Sequence, residues 1–560
     1  MNDIMRRMLP ACVILGVTWL VMLVARDPLL PPAHSTRTPD GGGRPATASA
    51  RIDAIVEGLW QKEGIEPASR VDDLLVLRRA WLASAGTIPS LEEIRRFERD
   101  DRPDRLERWL DDILADRRTA DHLARVLSHV LVGDDQGPFV VFRRDRFLAW
   151  LADAIHAREP FDEIVRRMVA SEGLWTGEPA VNFITQAVSS DTVDPVKLAG
   201  RVSRAMLGQR IDCAECHDHP FAPVTQAQFE GLAACFAQVK VSPLGVQDDP
   251  SRVFTIEVPA SMQPMESEDG QAFPMAAATA RRVPPAPPFA PEWMPDSGTR
   301  RHRLAEWVVH PANRRFERAI ANRAWQVVFC KPWHAPVDDL PNPPQGGAEG
   351  GRDPSDLLDV LGEAFRAGEC DLLALLRTLF DTRLFRIASA HVALDEQDTC
   401  DGVQGAWAAF PLSRLPADSI MGAMQQCTQL ETIDGDSHLI TRTVRFLRQI
   451  DFVREYGEPS DGAAIGDPVT IPQALVRMNG RLVREMVEAN PFTASGRIAR
   501  MAPDDDSRIE AAFLCCLTRR PTQAEQDAIV PLLRENAVAG SGMEDVFWSL
   551  FNSAEFFWNH

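Results

Sequence analysis

Apolar residues recur at helical spacing through most of this chain, and this pattern restricts it to a mainly α-helical fold. Ile52, Ile55 and Leu59 begin the pattern just after Arg51, and similar patterns continue to Phe551. Side chains three or four positions apart lie on the same face of a helix, so apolar ones can be buried together. The 560 residues are enough for two or three domains with full hydrophobic cores.

The helical pattern is interrupted at residues 241–300, and again by a Gly- and Pro-rich loop at residues 341–353. In the first interruption a run typical of a strand, residues 253–258, is followed by the Pro-rich residues 284–288. β-branched residues favour strands, and clustered prolines favour an extended linker. We therefore predict a helical domain at residues 51–240, a small β insertion and linker at 241–300, and a second helical domain at 301–560.

Two helix ends are marked by local signals. Ser90 and Glu93 have the spacing of a capping box, which begins a helix. Gly208 follows the helical pattern of residues 196–207 and is a suitable C-cap, because glycine adopts the left-handed conformation at little cost.

The N-terminal residues predict export across a membrane. Arg6 and Arg7 precede an apolar run at residues 8–25. At 1.5 Å per residue such a run spans about 27 Å, close to the thickness of a bilayer's hydrocarbon core. We predict a signal anchor at residues 1–26, with a removed signal peptide as the alternative, and a flexible linker at residues 27–50. The remainder would lie on the periplasmic or cell-surface side of the membrane.

Composition excludes one class of partner and one class of fold. The chain has 60 Lys and Arg against 80 Asp and Glu, a formal net charge of −20. This balance argues against binding to nucleic acid, because no excess of positive charge is present to neutralise phosphates. Ten cysteines in 560 residues are too sparse for a fold held together by disulfides.

The strongest chemical signal is a cluster of cysteines and histidines. Cys213, Cys216, His217 and His219 fall within seven positions, and residues 213–217 form the pattern C-x-x-C-H. This is the spacing at which c-type haem is attached. Each thiol can form a thioether with one vinyl group, and His217 can ligate the iron. Candidates for the sixth iron ligand are the methionines at 262, 265 and 275.

Two other interpretations of the cluster remain open. Cys213, Cys216, His217 and His219 could together hold zinc or iron, since zinc accepts two thiolates and two imidazoles in a tetrahedral site. Alternatively, Cys213 and Cys216 could form a local disulfide, with the histidines structural. Asp218 could orient an imidazole in the arrangement that holds zinc or iron.

Residues outside the cluster give weaker signals. Arg201 and Arg204 precede it by about one helix and could pair with haem propionates, although such residues more often form a solvated helix face. Asn322, Arg323 and Trp325 are typical of a buried polar anchor that stabilises a helix.

Several of these motifs resemble one known family. Residues 213–236 and 78–82 resemble domain of unknown function 1549, from a planctomycete cytochrome-associated family. Residues 303–307 and 322–325 resemble the beginning of domain of unknown function 1553, which usually follows it. The resemblance implies an exported location and a haem or metal site, and it implies no reaction.

The chain departs from the family pattern at three places, one of which is a poor match to an aromatic, acid-containing motif near residues 125–132. Ala83 stands where the family usually has an aspartate, and residues 329–332 replace a Phe-Gly-x-Gly motif. The chain therefore resembles a divergent member.

Taken together, these observations predict an exported, membrane-tethered protein that binds one covalent c-type haem and serves in electron transfer. One alternative is a non-enzymatic cell-surface scaffold or binding module in a polysaccharide-processing complex. The other is a metal-dependent enzyme that uses the Cys/His cluster. The expected partners are the membrane and redox or cell-surface proteins. The sequence identifies no substrate.

Overall fold

The computed structural model describes most of the chain after residue 45. The described residues are 46–133, 137–138, 140–189, 192–221, 223–258, 279–343, 356–390, 403–434, 437, 480–535 and 541–560. The predicted anchor at residues 1–26 lies outside them, as do the three methionines considered as iron ligands. Within the described ranges, no helix combines the length and the apolar character needed to cross a membrane.

The described part is mainly α-helical, as the sequence predicted. The first helix begins at Ala46, inside the segment predicted as a linker. The helices are α1 (Ala46–Glu63), α2 (Asp73–Ala85), α3 (Leu91–Glu98), α4 (Arg105–Ala115), α5 (Arg117–Val132), α6 (Arg144–His156), α7 (Phe161–Ala170), α8 (Asn182–Thr185), α9 (Pro195–Leu207), α10 (Gln226–Ala234), α11 (Arg300–Val309), α12 (Arg314–Phe329), α13 (Leu357–Ala367), α14 (Leu372–Phe380), α15 (Ala417–Cys427), α16 (Arg481–Val487), α17 (Ala494–Met501), α18 (Asp505–Leu517), α19 (Gln523–Glu535), α20 (Ser541–Asn552) and α21 (Ala554–Phe557).

The strands form four antiparallel pairs. They are β1 (Val188–Ser189) with β2 (Thr192–Val193), β3 (Val239–Ser242) with β4 (Gly245–Asp248), β5 (Phe254–Val258) with β6 (Thr279–Val283), and β7 (Ser413–Arg414) with β8 (Trp558–Asn559). In the third pair Phe254 lies opposite Val283. The predicted β insertion is therefore confirmed.

Both predicted helix signals are confirmed. The Ser90 hydroxyl accepts from the Glu93 amide at 3.0 Å, and the Glu93 carboxylate accepts from the Ser90 amide at 2.8 Å. These reciprocal bonds satisfy two donors that the first turn of α3 would otherwise leave without partners. Gly208 ends α9 with φ 61° and ψ 39°, in the left-handed region.

The first hydrophobic core extends across the predicted boundary between the two helical domains. It includes apolar residues from α1 to α14 and continues to Phe410. Helix α12 lies at its centre and packs against α2, α9, α13 and α14. The Phe316 ring of α12 also stacks on Phe161 of α7, with 6.4 Å between centroids. Residues 300–410 therefore share a core with residues 51–240, which the segmentation by sequence did not anticipate.

A second core is formed by α15 to α21, and α2 connects the two. Leu82 and Ile88 pack into the second core, whereas Trp81 packs into the first. Arg79 of α2 is fully buried and donates to the carbonyls of Phe385, at 2.8 Å, and His560, at 2.6 Å. One buried guanidinium thus holds α2 to the chain's last residue.

Candidate functional site

Helix α9 brings the chain to the Cys/His cluster. The Asp194 carboxylate caps its first turn by accepting from the amides of Val196, at 2.9 Å, and Lys197, at 3.1 Å. At the other end, the left-handed Gly208 allows the Gln209 amide to donate to the Ser203 carbonyl at 3.0 Å. The backbone therefore leaves the helix in a fixed direction, four residues before the cluster.

Cys213 lies on a short 3₁₀ turn, Asp212–Glu215, Cys216 follows it directly, and the turn is anchored by apolar neighbours. Ile211 and Ala214 are buried in the first core, and the Ala214 amide donates to the Ile211 carbonyl at 2.9 Å. Cys213 and Cys216 point the other way, and both are exposed free thiols. The turn thus holds its backbone against the core and presents both sulfur atoms to solvent.

The loop after the cysteines is tied to the start of α10. The Asp218 carboxylate accepts from the Gln226 amide at 2.8 Å, and the Gln226 side chain donates to the Glu215 carbonyl at 3.2 Å. The His219 amide donates to the Val224 carbonyl at 2.9 Å. Asp218 therefore stabilises the start of a helix with its carboxylate, a role that the sequence interpretation did not include.

The two histidines differ in which ring nitrogen is available for a ligand. The Nδ1 atom of His217 lies 2.8 Å from the Asp218 carbonyl oxygen, which can only accept. The neutral His217 ring must therefore carry its proton on Nδ1, and its exposed Nε2 keeps a lone pair. His219 is the opposite case, since its Nδ1 accepts from the Phe221 amide at 3.2 Å and the neutral ring carries its proton on Nε2.

The described side chains do not form a preassembled metal site. Across the described ranges, no group of three or more His, Cys, Asp or Glu side chains is arranged to hold a metal ion. The four residues of the cluster are close in sequence, but His217 and His219 each direct one ring nitrogen, Nδ1, to a local backbone group.

Of the two arginines considered for haem propionates, one is excluded by its position. Arg201 is buried and donates to the Val132 carbonyl, at 3.4 Å, and to the Gln186 side chain. Arg204 is half exposed and pairs with Asp212 at 3.5 Å. Arg204 therefore lies next to the cysteine turn and Arg201 does not face it.

The second predicted domain holds the end of α9 in place. The Arg323 guanidinium of α12 donates to the Arg204 carbonyl at 2.7 Å, and the Leu340 amide donates to the Gly208 carbonyl at 2.7 Å. Arg210 also pairs with Asp338 at 2.9 Å. Burial lowers the pKa of Arg323 to about 10, so its charge is retained at neutral pH. Arg323 thus stabilises the end of α9, the helix that leads to the cluster.

Three cavities in the described part lie away from the cluster. Their volumes are about 550, 510 and 410 Å³, and none is lined by a residue of the turn. The smallest is lined by Trp293 and His310, whose rings stack in parallel with 5.2 Å between centroids. Arg166, His302 and Glu306 also line it, together with Glu292, Pro295 and Pro311.

The fold and the site define a class of protein: two interlocked helical domains, the first of which presents an exposed C-x-x-C-H turn. Residues 51–241 match the family model PSCyt2, a protein of unknown function (DUF1549), and residues 300–449 match PSD1, a protein of unknown function (DUF1553). The two segments together cover more than half of the chain and occur in the predicted order. The chain therefore belongs to the family that carries these domains. No curated protein and no solved structure matches the chain.

Proposed function

We propose that this protein carries one covalent c-type haem at Cys213, Cys216 and His217 and serves in electron transfer outside the cytoplasm. The observation that carries the proposal is the arrangement of the turn, which exposes both thiols while its backbone is anchored in the core. Each thioether forms between one thiol and one vinyl group, so exposure of both thiols supports the proposal.

The state of His217 supports the same proposal. A histidine that ligates iron usually donates its other ring nitrogen to a carbonyl or carboxylate, which fixes the tautomer and the ring orientation. His217 makes this bond to the Asp218 carbonyl and keeps Nε2 exposed. Asp218 is itself held by the Gln226 amide. The residue that the C-x-x-C-H pattern assigns to the iron is thus the one with the correct nitrogen available.

An exposed aromatic ring beside the cluster fits a large apolar ligand. Phe221 is 95% exposed, more than any other large apolar residue noted on the described surface. Exposure of a full phenyl ring is unfavourable in water, and contact with an apolar macrocycle would remove part of it from solvent. When bound, haem supplies a one-electron iron couple. The chain's own residues attach it, ligate it and shield one edge.

The test is an intact mass and an absorption spectrum of the full chain, produced in an exporting host together with haem-attachment machinery. We expect a mass gain of one haem and a Soret band. Both should be lost in Cys213→Ala and in Cys216→Ala, whereas His217→Ala should change the spectrum. Cys235→Ala, at a buried thiol, and His219→Ala are the matched controls and should retain the haem. Protein that is free of haem under these conditions, with both thiols open to alkylation, would contradict the proposal.

A second candidate function, a binding module for polysaccharides, is favoured by the cavity at Trp293. Its ring stacks on His310, and Glu306 accepts from Arg166 at 3.0 Å beside it. Aromatic faces bordered by charged side chains suit sugar rings, because the ring face packs on apolar C–H groups while the polar groups bind hydroxyls. Affinity electrophoresis through soluble polysaccharides should show retardation that Trp293→Ala removes and Trp175→Ala preserves. Equal mobility with and without every polysaccharide tested would exclude this function.

A further inference from the structure

Three cysteines meet in the second core, far from the C-x-x-C-H turn. Cys427 is the last residue of α15, and Cys515 and Cys516 are adjacent on α18. The Cys427 thiol donates to the Cys515 carbonyl at 3.3 Å, and the Cys515 thiol donates to the Cys427 carbonyl at 3.3 Å. All three side chains are fully or almost fully buried. These reciprocal bonds bring together two thiols that lie 88 positions apart in the sequence.

A buried guanidinium from α2 lies against the same cluster. Arg78 is 1% exposed, and its Nη1 donates to the Cys516 carbonyl at 3.1 Å. Within the described part of the chain, its Nε and Nη2 atoms have no acceptor. A charge buried in this way is unfavourable unless an anion lies beside it. The nearby Glu555 carboxylate is already bound by Arg519 at 2.6 Å, so the thiols of Cys427 and Cys516 are the other groups beside Arg78 that can become negative.

The contacts within the cluster favour a thiolate at Cys515. Ionisation of Cys515 gives up its bond to the Cys427 carbonyl, and the thiols of Cys427 and Cys516, turned to its sulfur, hold the pKa of Cys515 well below its ordinary value. An isolated buried cysteine behaves differently, because burial raises the pKa of Cys235 to about 12. The thiolate is the nucleophile in thiol–disulfide exchange, so Cys515 is the cysteine of this cluster best suited to react.

We propose that Cys427 and Cys515 are a redox-active pair that closes to a disulfide by exchange with a small-molecule disulfide such as glutathione disulfide. The Cys515 thiolate attacks one sulfur of the oxidant, forms a mixed disulfide and releases one glutathione thiolate. Cys427 then attacks the Cys515 sulfur of the mixed disulfide and releases the second glutathione, which takes up the proton from Cys427. The pair loses two electrons and the small disulfide gains them.

Closure of the pair would tie α15 covalently to α18. Cys516 stays a thiol in this scheme. Because the cluster is sealed from solvent, exchange requires a local opening of the second core. The pair is independent of the proposed haem site, and its failure would leave that proposal intact.

The experiment uses the full chain with Cys213→Ala and Cys216→Ala, so that the exposed thiols do not contribute. The protein is incubated with excess glutathione disulfide over a range of urea concentrations below its unfolding transition. It is then quenched in acid, alkylated in denaturant and digested without reduction for peptide mass spectrometry. We expect a peptide linked through Cys427 and Cys515 in most molecules, which separates on reduction. Cys235 should be alkylated throughout as the internal control.

Variants sharpen the assignment. Cys427→Ser should abolish the linked peptide, and Cys235→Ser should leave it unchanged. Arg78→Met should slow closure by about tenfold, and Arg78→Lys should restore part of the rate because it retains the charge. Full alkylation of Cys427 and Cys515 after oxidation would overturn the proposal. So would a link from Cys427 to Cys516 alone, or thiols that become reactive only after a metal chelator is added. The first measurement uses protein in which Cys427, Cys515, Cys516 and Arg78 are unchanged, so its result does not depend on whether the variants at the cluster fold.

Discussion

Replacement of His122 should remove a large part of the protein's loss of stability in acid. This histidine of α5 is buried against the left-handed turn at Gly86, where a Cβ atom would lie only 2.5 Å from its ring. Within the described residues its Nδ1 has no hydrogen-bond partner. Burial, together with the nearby charge of Arg125, lowers the pKa of His122 from 6.5 to about 3. The folded protein therefore keeps this ring neutral.

The sign and size of the effect follow from that shift. Between pH 6.5 and about 3 the unfolded chain binds a proton at His122 and the folded chain does not. The stability is therefore complete above pH 6.5 and falls as the pH is lowered through this window. Since one pKa unit corresponds to about 1.4 kcal/mol, the loss from this residue reaches about 3 kcal/mol near pH 4.

The assay is urea unfolding followed by tryptophan fluorescence at about pH 7 and about pH 4. Between the two pH values, the free energy of unfolding of His122→Leu should fall by about 3 kcal/mol less than that of the unchanged protein. His156→Gln, which replaces an exposed histidine at the end of α6, is the matched control and should follow the unchanged protein. If the curves of His122→Leu and of the unchanged protein shift equally with pH, the assignment of His122 as a neutral buried ring is refuted.

Two further predictions concern packing. Arg79→Met leaves several buried carbonyls without a charged donor and should destabilise the protein by about 4 kcal/mol in urea unfolding. The control is Arg96→Met, which removes an exposed ion pair on one helix and should change the free energy of unfolding by less than about 0.5 kcal/mol. Equal effects of the two variants would contradict the role of Arg79. Gly245 has φ 115°, and a Cβ there would overlap the Gly173 carbonyl. Gly245→Ala should therefore cost about 2 kcal/mol or more, whereas Gly58→Ala, in open space on α1, should stabilise by about 0.5 kcal/mol, both read as shifts in melting temperature. A Gly245→Ala protein that melts with the unchanged one would disprove the close approach.

The parts of the fold that sequence could predict depend on neighbours close along the chain. The capping bonds of Ser90 and Glu93 and the left-handed end of α9 at Gly208 involve residues within a few positions, and both were correct. The strand at Phe254–Val258 was found for the same reason. The C-x-x-C-H spacing located both cysteines on one short segment, and only the structure showed that they are exposed.

Predictions that required distant contacts were less complete. Arg201 was considered for an exposed role, yet it is buried because the end of α5 and residue Gln186 pack over it. Arg323 was expected to stabilise its own helix, and its partner proved to be the Arg204 carbonyl, 119 positions away. No local pattern reports such a partner, since the spacing of a helix indicates that a face is buried and not what covers it.

The sequence by itself determined the mainly helical pattern, two helix ends and one short strand, because these depend on backbone preferences and on spacing within one or two turns. Tertiary structure alone decided that residues 300–410 join the first core and that Arg323 secures the helix leading to the cysteines. It also decided that Arg78 reaches Cys516 across 438 positions. These contacts form only where distant segments of the chain pack against each other. They depend on the shape and charge of both segments, so neither segment alone predicts them.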